Sequence, residues 1–579
     1  MPGADPSGQH DHGTMALERQ SQVTPPSGQG SGSTGDVDQW GLRLRRPMSG
    51  RTRALLLYTP FVFAVALTFA YSPDDAFITL RYAYNLLHGH GPVYNPGDHV
   101  NGSTSPAGLA LAIVALAIPG GYTLLKLKLL SLLFAFLTVR AGGRLLDTFN
   151  WPDGFLYVGL PLMGFSPAIA FAAATGLETT VASFAITSLV LTLRSPRVKY
   201  ERRAVAYGAL AVFARPEAIL AVSFIAVAAL CIERSVPWFR RVRWWLLGPL
   251  LVEVVLLGWN RLYYGAWVPN TYLAKESSIG AALHSGLKYL FFGDLPNSYT
   301  EGIHLWIAGA LAVGLDALLI VGAVAAAIRY RTYGYIVAAA LAQVLFVLKS
   351  GDDWMKVARF FEPVEPCLIV LQLLGAAVLF GWIVERVHRS RVESKSTGEK
   401  TTGNLDLVVG AVLLGGLVMG TCFAFIQNDP VWTLQGVSDQ ALVSHSGDQP
   451  YSSVWAEEPR LFACARAGQL VATTEAGYGP FVDERLPVLD LRGLTNREIA
   501  ETAPSSLKSN VGVIDTDWYS PTSPVGEVVL QERPVLIVTV NGPQVRRALD
   551  GEYRLIETQD ALGLRVYARV GTACSVGNP

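Results

Sequence analysis

Long apolar runs, separated by short polar turns, recur along the chain from residue 54 to residue 427. They fall near 54–72, 122–146, 154–173, 178–195, 204–214, 217–234, 243–262, 304–328, 333–349, 362–385 and 405–427, eleven in all. Most approach the ~20 residues that an α-helix needs to cross a hydrocarbon core. The run 107–118, AGLALAIVALAI, has only twelve residues and predicts an outer-interface or re-entrant helix. The short run 204–214 predicts a hairpin with 217–234, turning at Arg215-Pro216-Glu217. The pattern changes at both ends. Residues 1–50 are rich in Gly, Ser and Pro without apolar periodicity, which predicts a disordered tail. In 428–579, short apolar stretches (QLVATTEA, PVLDLRG, VGVIDTD, PVLIVTV, LRVYARV) alternate with the helical patterns NREIAETA and PQVRRALDG. That alternation predicts one small α/β domain.

Composition strengthens the membrane reading. The chain of 579 residues is 51% hydrophobic and only 16% charged, against roughly a quarter charged in soluble domains. Lys plus Arg and Asp plus Glu both number 46, so net charge names no partner, and no nucleic-acid role is expected. Basic clusters at 43–53, 194–203, 234–243, 329–331 and 386–400, with a weaker one at Arg140 and Arg144, belong on the cytoplasmic side. The expected protein is therefore a polytopic α-helical, multi-pass cell-membrane protein. It has a cytoplasmic tail (1–50), a membrane domain (54–427) and an extracytoplasmic C-terminal α/β domain (428–579). No small-residue cleavage site follows the tail, so 54–72 reads as a retained span. Of five cysteines, Cys231, Cys367 and Cys422 read as packing residues, while Cys464 and Cys574 could pair in an oxidising compartment. No pair has metal-ligand spacing.

On this topology five polar stretches share the outer face. They are the first external loop (73–106), TGLETT (175–180), ARPEA (214–218), YYGAWVPNTYLAKE (263–276) and KSGDDWMKVARFFEP (349–363). Ionisable residues at membrane depth usually mark function. Asp74 and Asp75 open a predicted helix over 74–88, where the helix dipole favours carboxylates, so capping is the plain alternative to catalysis. Adjacent side chains diverge, so one carboxylate can act as a base while the other orients a hydroxyl or holds a cation. Arg81 lies two turns on and shares the face of Asp74. His88, His90 and His99 suggest a metal, but their spacing fits no zinc site, and they read as substrate contacts or surface residues. Glu178 and Glu217 cap membrane helices, and Asn270 could hold a sugar hydroxyl. Each of the three could equally be glue between helices.

The stretch DDAFITLRYAYNLLHGHGPVYNPGDHVNGSTSP resembles the first external loop of bacterial GT-C membrane glycosyltransferases that use polyprenyl-phosphate sugars. With TGLETTVASF, ARPEAIL, YYGAWVPNTYLAK and GDDWMKVARFFEPVEP, it is similar in order and spacing to the mycobacterial terminal arabinofuranosyltransferase family. The likeness covers about 54–390, with a weaker echo in GYGPFVDERLPVLDLRGLTNREIA (477–500). One departure is Gly351-Asp352-Asp353-Trp354-Met355, which carries an acid where the family pattern has a second glycine.

The resemblance implies transfer of a sugar, with arabinofuranose the best guess, from a polyprenyl-phosphate donor to an envelope glycan, glycolipid or glycoprotein. The lipid bilayer is the other partner. Such a reaction needs a base, for which Asp74 is the first choice and Asp75 the second. It also needs cations for the phosphate: Lys128, Arg359, Arg81 and Lys126. For the two lysines snorkelling to headgroups is the alternative, and for Arg359 an ion pair with Asp352 or Asp353. Asp352, Asp353 and Trp354 join Glu178, Glu217, Asn270, His88 and His90 as candidate substrate contacts. No cofactor is required, although a divalent cation (Mg or Mn) at Asp74 and Asp75 is a candidate. The rival classes are a transporter or flippase of lipid-linked sugars, which would show two-half symmetry and midplane charges, and a non-catalytic envelope assembly protein.

Overall fold

The computed structural model describes residues 48–573, except 70–71, 150, 152, 195–199, 233–235, 293–316, 327, 329–332, 352, 354, 356–358, 395–460, 510–511, 514–521, 540–550 and 560–563. Within that range α1 (Gly50–Thr68), α4 (Thr123–Asp147), α5 (Asp153–Gly164), α6 (Pro167–Thr175), α7 (Thr179–Arg194), α8 (Tyr200–Ala214), α9 (Ala218–Ile232), α10 (Val236–Trp259), α14 (Gly334–Ser350) and α15 (Glu365–Ser394) follow the apolar runs. A short apolar helix, α13 (Ala317–Ala326), lies within the run predicted at 304–328. The run at 405–427 and the tail 1–47 lie outside the described residues.

Among the described residues, three helical stretches are long and apolar enough to cross a membrane: Phe155–Thr175, Trp245–Tyr264 and Arg359–Trp382. Residues from α1, α4 to α10, α14 and α15 share one buried apolar cluster, so the apolar helices form a packed bundle. The outer face of α10 leaves Leu250, Leu251, Val254 and Val255 exposed, the surface that a lipid-facing helix presents.

Local chemistry sets the breaks. The run predicted as one span over 154–173 is two helices. Pro167 disfavours helical geometry at the residue before it, and Ser166 instead caps α6, accepting from Ile169 N at 3.4 Å. Gly176, with φ +72°, ends α6 in the left-handed conformation that glycine adopts without strain. The hairpin predicted at Arg215-Pro216-Glu217 joins α8 to α9. The short run at 107–118 is α3 (Pro106–Ala117), whose N-cap Ser105 accepts from Gly108 N at 2.9 Å and donates to Ala214 O at 2.6 Å.

The C-terminal region builds a five-stranded sheet in the order β2-β1-β5-β7-β6. Its strands are β1 (Val471–Thr473), β2 (Val488–Asp490), β5 (Leu536–Thr539), β6 (Tyr553–Gln559) and β7 (Leu564–Arg569); β3 (Lys508–Ser509) and β4 (Gly512–Val513) form a separate pair. β2, β1 and β5 run parallel, while β7 and β6 add antiparallel. Helices Arg497–Thr502 and Pro524–Glu532 pack on one face. The other face carries Val471, Val488, Leu536 and Val566 and packs against Ile78, Tyr82 and Tyr94 of the first loop region. Cys464 is disulfide-bonded; Cys574, named above as its partner, lies outside the described residues.

The sheet is fastened to the loop by backbone groups. Asn95 of the loop donates from Nδ2 to Val488 O at 2.9 Å and accepts at Oδ1 from Val488 N at 3.0 Å. A carboxamide thereby pairs with the edge strand β2 as a neighbouring strand would. Tyr94 OH donates to Ala476 O at 2.6 Å.

Candidate functional site

Asp74 and Asp75 begin α2 (Asp75–Leu87) and diverge. Asp74 is 5% exposed and accepts at Oδ1 from Tyr478 N of the C-terminal domain at 2.7 Å. Gly477 is required beside it, because a Cβ there would overlap the Asp74 carboxylate. Asp74 makes no side-chain cap to α2; its bond to Tyr478 N holds the domain. Asp75 points elsewhere: its side chain is 27% exposed and its Oδ2 lies 3.7 Å from Arg359 Nη1.

Arg359 opens the 3₁₀ helix Arg359–Val364 and makes a two-point pair with Asp353, Nε to Oδ2 at 2.6 Å and Nη2 to Oδ1 at 2.9 Å. This fork-on-carboxylate geometry fixes the guanidinium plane and leaves Nη1 facing Asp75. A second charged group stands at the α8–α9 turn. Arg215 lies 2.5 Å from Glu217 and 3.6 Å from Glu178. Burial raises the Glu178 carboxyl above its ordinary range, with Arg215 and Arg359 pulling the other way.

Within electrostatic reach of both groups is Lys275, the last residue of α11 (Asn270–Lys275). Burial lowers its ammonium from the ordinary range; Asp75 and Asp353 favour the charge, Arg359 and Arg215 oppose it. Among the described residues its ammonium makes no hydrogen bond and no ion pair within 4.0 Å; its backbone carbonyl accepts from Ser277 N at 2.8 Å. A half-buried ammonium near two guanidinium groups is a place where an added anion gains. Nothing in the local sequence distinguishes Lys275 from any lysine at a helix end, so it is absent from the candidates named above.

The C-terminal domain supplies two more charged groups. Glu475 follows β1 and pairs with Arg492 at 3.2 Å. Burial raises the Glu475 carboxyl, Arg492 opposes that rise, and the charge of Asp75 adds to it.

Arg81, expected to meet the phosphate, is 2% exposed and donates to backbone carbonyls of Tyr94 (2.9 Å), Leu486 (2.7 Å) and Pro480 and to Asn95 Oδ1 (3.4 Å). With its guanidinium so engaged, it is a strut between loop and domain. Asn270 is similarly occupied, donating to Gly493 O at 2.7 Å and to the carbonyls of Leu494 and Asn496. Lys128 is fully buried and donates to Phe69 O at 2.9 Å. Lys126 donates to Ile118 O at 2.8 Å, closing the α3–α4 turn. His88 and His90 are exposed at the far end of α2, about 20 Å from Asp75 by helical rise. Asp352 and Trp354 lie outside the described residues. No group of three or more metal-binding side chains occurs among the described residues. The divergence of Asp74 and Asp75 also means that the pair does not fit a two-carboxylate cation site.

The described region is thus a helical membrane bundle with a charged centre at the foot of an α/β domain. No family model matches the chain. It is similar to a terminal β-(1→2)-arabinofuranosyltransferase of Mycobacterium tuberculosis, 29% identical over 325 residues (49% of this chain and 49% of that protein). It is also similar to one of Corynebacterium glutamicum, 27% identical over 361 residues (56% of this chain and 51% of that protein). The chain spans about half the length of these curated relatives, and the likeness read from five motifs is borne out at that level. Crystal structures of ArnT from Cupriavidus metallidurans, bound to undecaprenyl phosphate and in the apo state, align with TM-scores of 0.49 and 0.47. Their identities are 13% and 14%; the alignments cover 91% and 90% of this chain and 98% of each ArnT chain.

Proposed function

We propose that the chain is an integral membrane glycosyltransferase that moves a sugar, best read as arabinofuranose, from a polyprenyl-phosphate donor to an envelope glycan, glycolipid or glycoprotein. The observation that carries this reading is the meeting of Asp75, Arg359 and Lys275 below the α/β domain. An accessible carboxylate there lies 3.7 Å from Arg359 and within electrostatic reach of Lys275, whose ammonium has no ion pair within 4.0 Å among the described residues. Lys275 and the outward edge of Arg359 hold the donor phosphate. Asp75 takes the proton of the acceptor hydroxyl as that oxygen bonds to the anomeric carbon. The bond from that carbon to the phosphate oxygen breaks, and the polyprenyl phosphate leaves with its charge on the two cations. Asp75 thus takes the role first expected of Asp74.

The test is sugar transfer by the full chain in nanodiscs, with a synthetic polyprenyl-phospho-arabinofuranose and an arabinan oligosaccharide. Lys275→Gln should raise the donor KM about tenfold or more, because a charge-assisted contact is worth ~1.5–3 kcal/mol. An unchanged donor KM removes Lys275 from the phosphate site. No transfer by the wild-type chain, with lipid-linked sugar moving across vesicles instead, would favour the flippase reading.

The proposed site faces the extracytoplasmic side, with the N-terminus in the cytoplasm. Cysteines introduced at positions 90 and 290 should react with impermeant maleimide from outside, and those at 197 and 395 should not. External labelling at 395 would invert the orientation.

A further inference from the structure

Glu475 is a charged residue that the transfer chemistry above does not use. It belongs to the C-terminal domain, 400 positions from Asp75, yet the fold carries it to the charged centre. The segment after β1 is strapped to the membrane domain at three successive residues. Ala476 O accepts from Tyr94 OH, Gly477 packs against the Asp74 carboxylate, and Tyr478 N donates to Asp74 Oδ1. Asp75 is the next residue after that anchor, and its charge acts on Glu475. The Glu475 side chain remains 18% exposed.

Its direction is also fixed. Arg492 Nη2 donates to Glu475 Oε1 at 3.2 Å, while Arg492 Nε donates to Thr474 O at 2.8 Å. Arg492 is in turn held by the turn after β2, where Asp490 accepts from Arg492 N at 2.9 Å and from Thr495 N at 2.8 Å. A carboxylate oriented by a guanidinium and left open on one side is built to accept hydrogen bonds from something else. The donor phosphate is excluded, because like charges repel. A neutral polyhydroxylated molecule entering from the domain side matches it.

Resting on the transfer reading above, we propose that Glu475 binds a hydroxyl of the acceptor sugar, so that the α/β domain completes the acceptor site opposite Asp75. Arg492 is the positioning residue behind it. Acceptor specificity then lies partly in the domain, while the donor is held by the membrane helices.

Two measurements on the full chain in nanodiscs test this. Paired cysteines at positions 75 and 475 should be bridged by a short bifunctional maleimide; absence of a bridge overturns the inference whatever the activity. Titration calorimetry with an arabinofuranosyl oligosaccharide should show Glu475→Gln weakening binding about 10- to 100-fold, with the melting temperature unchanged. Arg492→Lys, which keeps the charge but not the fork, should weaken it less. Unchanged oligosaccharide affinity in Glu475→Gln, or no binding by the wild-type chain, overturns the proposal. If the wild-type chain binds oligosaccharide through Glu475 yet transfers no sugar, the glycan contact stands and the transfer reading fails.

Discussion

Replacing Asp75 with Asn should lower sugar transfer by about 10²- to 10⁴-fold, the usual contribution of a general base. Asn keeps the shape of Asp and remains acceptable at the start of a helix, losing a dipole interaction worth only ~0.3–1 kcal/mol. Arg359 loses a neighbour 3.7 Å away but keeps its two-point pair with Asp353. The variant should therefore fold and bind the donor with a near-normal KM, so that the loss appears in kcat. Asp74→Asn should behave differently. Its amide oxygen can still accept from Tyr478 N, so turnover should stay within a few-fold. Asp74→Ala instead strands that buried donor at a cost of ~1–3 kcal/mol and should lower the melting temperature. Full turnover by Asp75→Asn, or a collapse in Asp74→Asn with folding intact, would return the base to Asp74.

The second large effect is one of stability. Asp353 is 2% exposed, and among the described residues it pairs with Arg359 and accepts from Met355 N at 3.4 Å. Arg359→Ala should cost ~3–5 kcal/mol, because it leaves a buried carboxylate uncompensated. The expected readouts are a sharply lower yield and a depressed melting temperature in detergent. The double variant Arg359→Ala/Asp353→Ala removes both charges and should recover most of that loss. Donor binding should not recover with it, since the outward edge of the guanidinium is gone. Recovery of both stability and donor affinity would make the pair purely structural.

Much of the membrane architecture was legible because apolar run length is a local property. Every run in the described range, from 54–72 to 362–385, met a helix. The broken α5–α6 segment needed more than hydropathy, since Ser166 and Pro167 decide it. The strands at 471–473, 488–490, 536–539 and 564–569 were marked by short apolar stretches. β6 was missed because its YRLIETQ pattern is amphipathic and only partly buried at the sheet edge. The site was harder to read. Adjacency alone says that Asp74 and Asp75 diverge, but which one faces the centre depends on Tyr478, which lies 404 positions away. Arg81 drew notice as a cation, yet its partners are carbonyls near residues 94, 480 and 486, invisible to any spacing rule. Lys275 and Glu475 acquire meaning only when distant segments converge on them.

The fastening between loop and domain has a further consequence for how such a molecule can be rebuilt. Arg81, Asn95 and Tyr94 reach across to carbonyl and amide groups of residues 476–488, not to their side chains. Any sequence that traces the same path offers those groups, provided that Gly477 keeps clear of Asp74. The membrane portion reads the polar part of this interface by contour and the rest by one apolar sheet face. A chimera carrying a foreign α/β module should therefore seat correctly if the path of that segment and of residues 493–496 and the apolar sheet face of Val471, Val488, Leu536 and Val566 are retained, leaving its glycan-facing residues free to be exchanged.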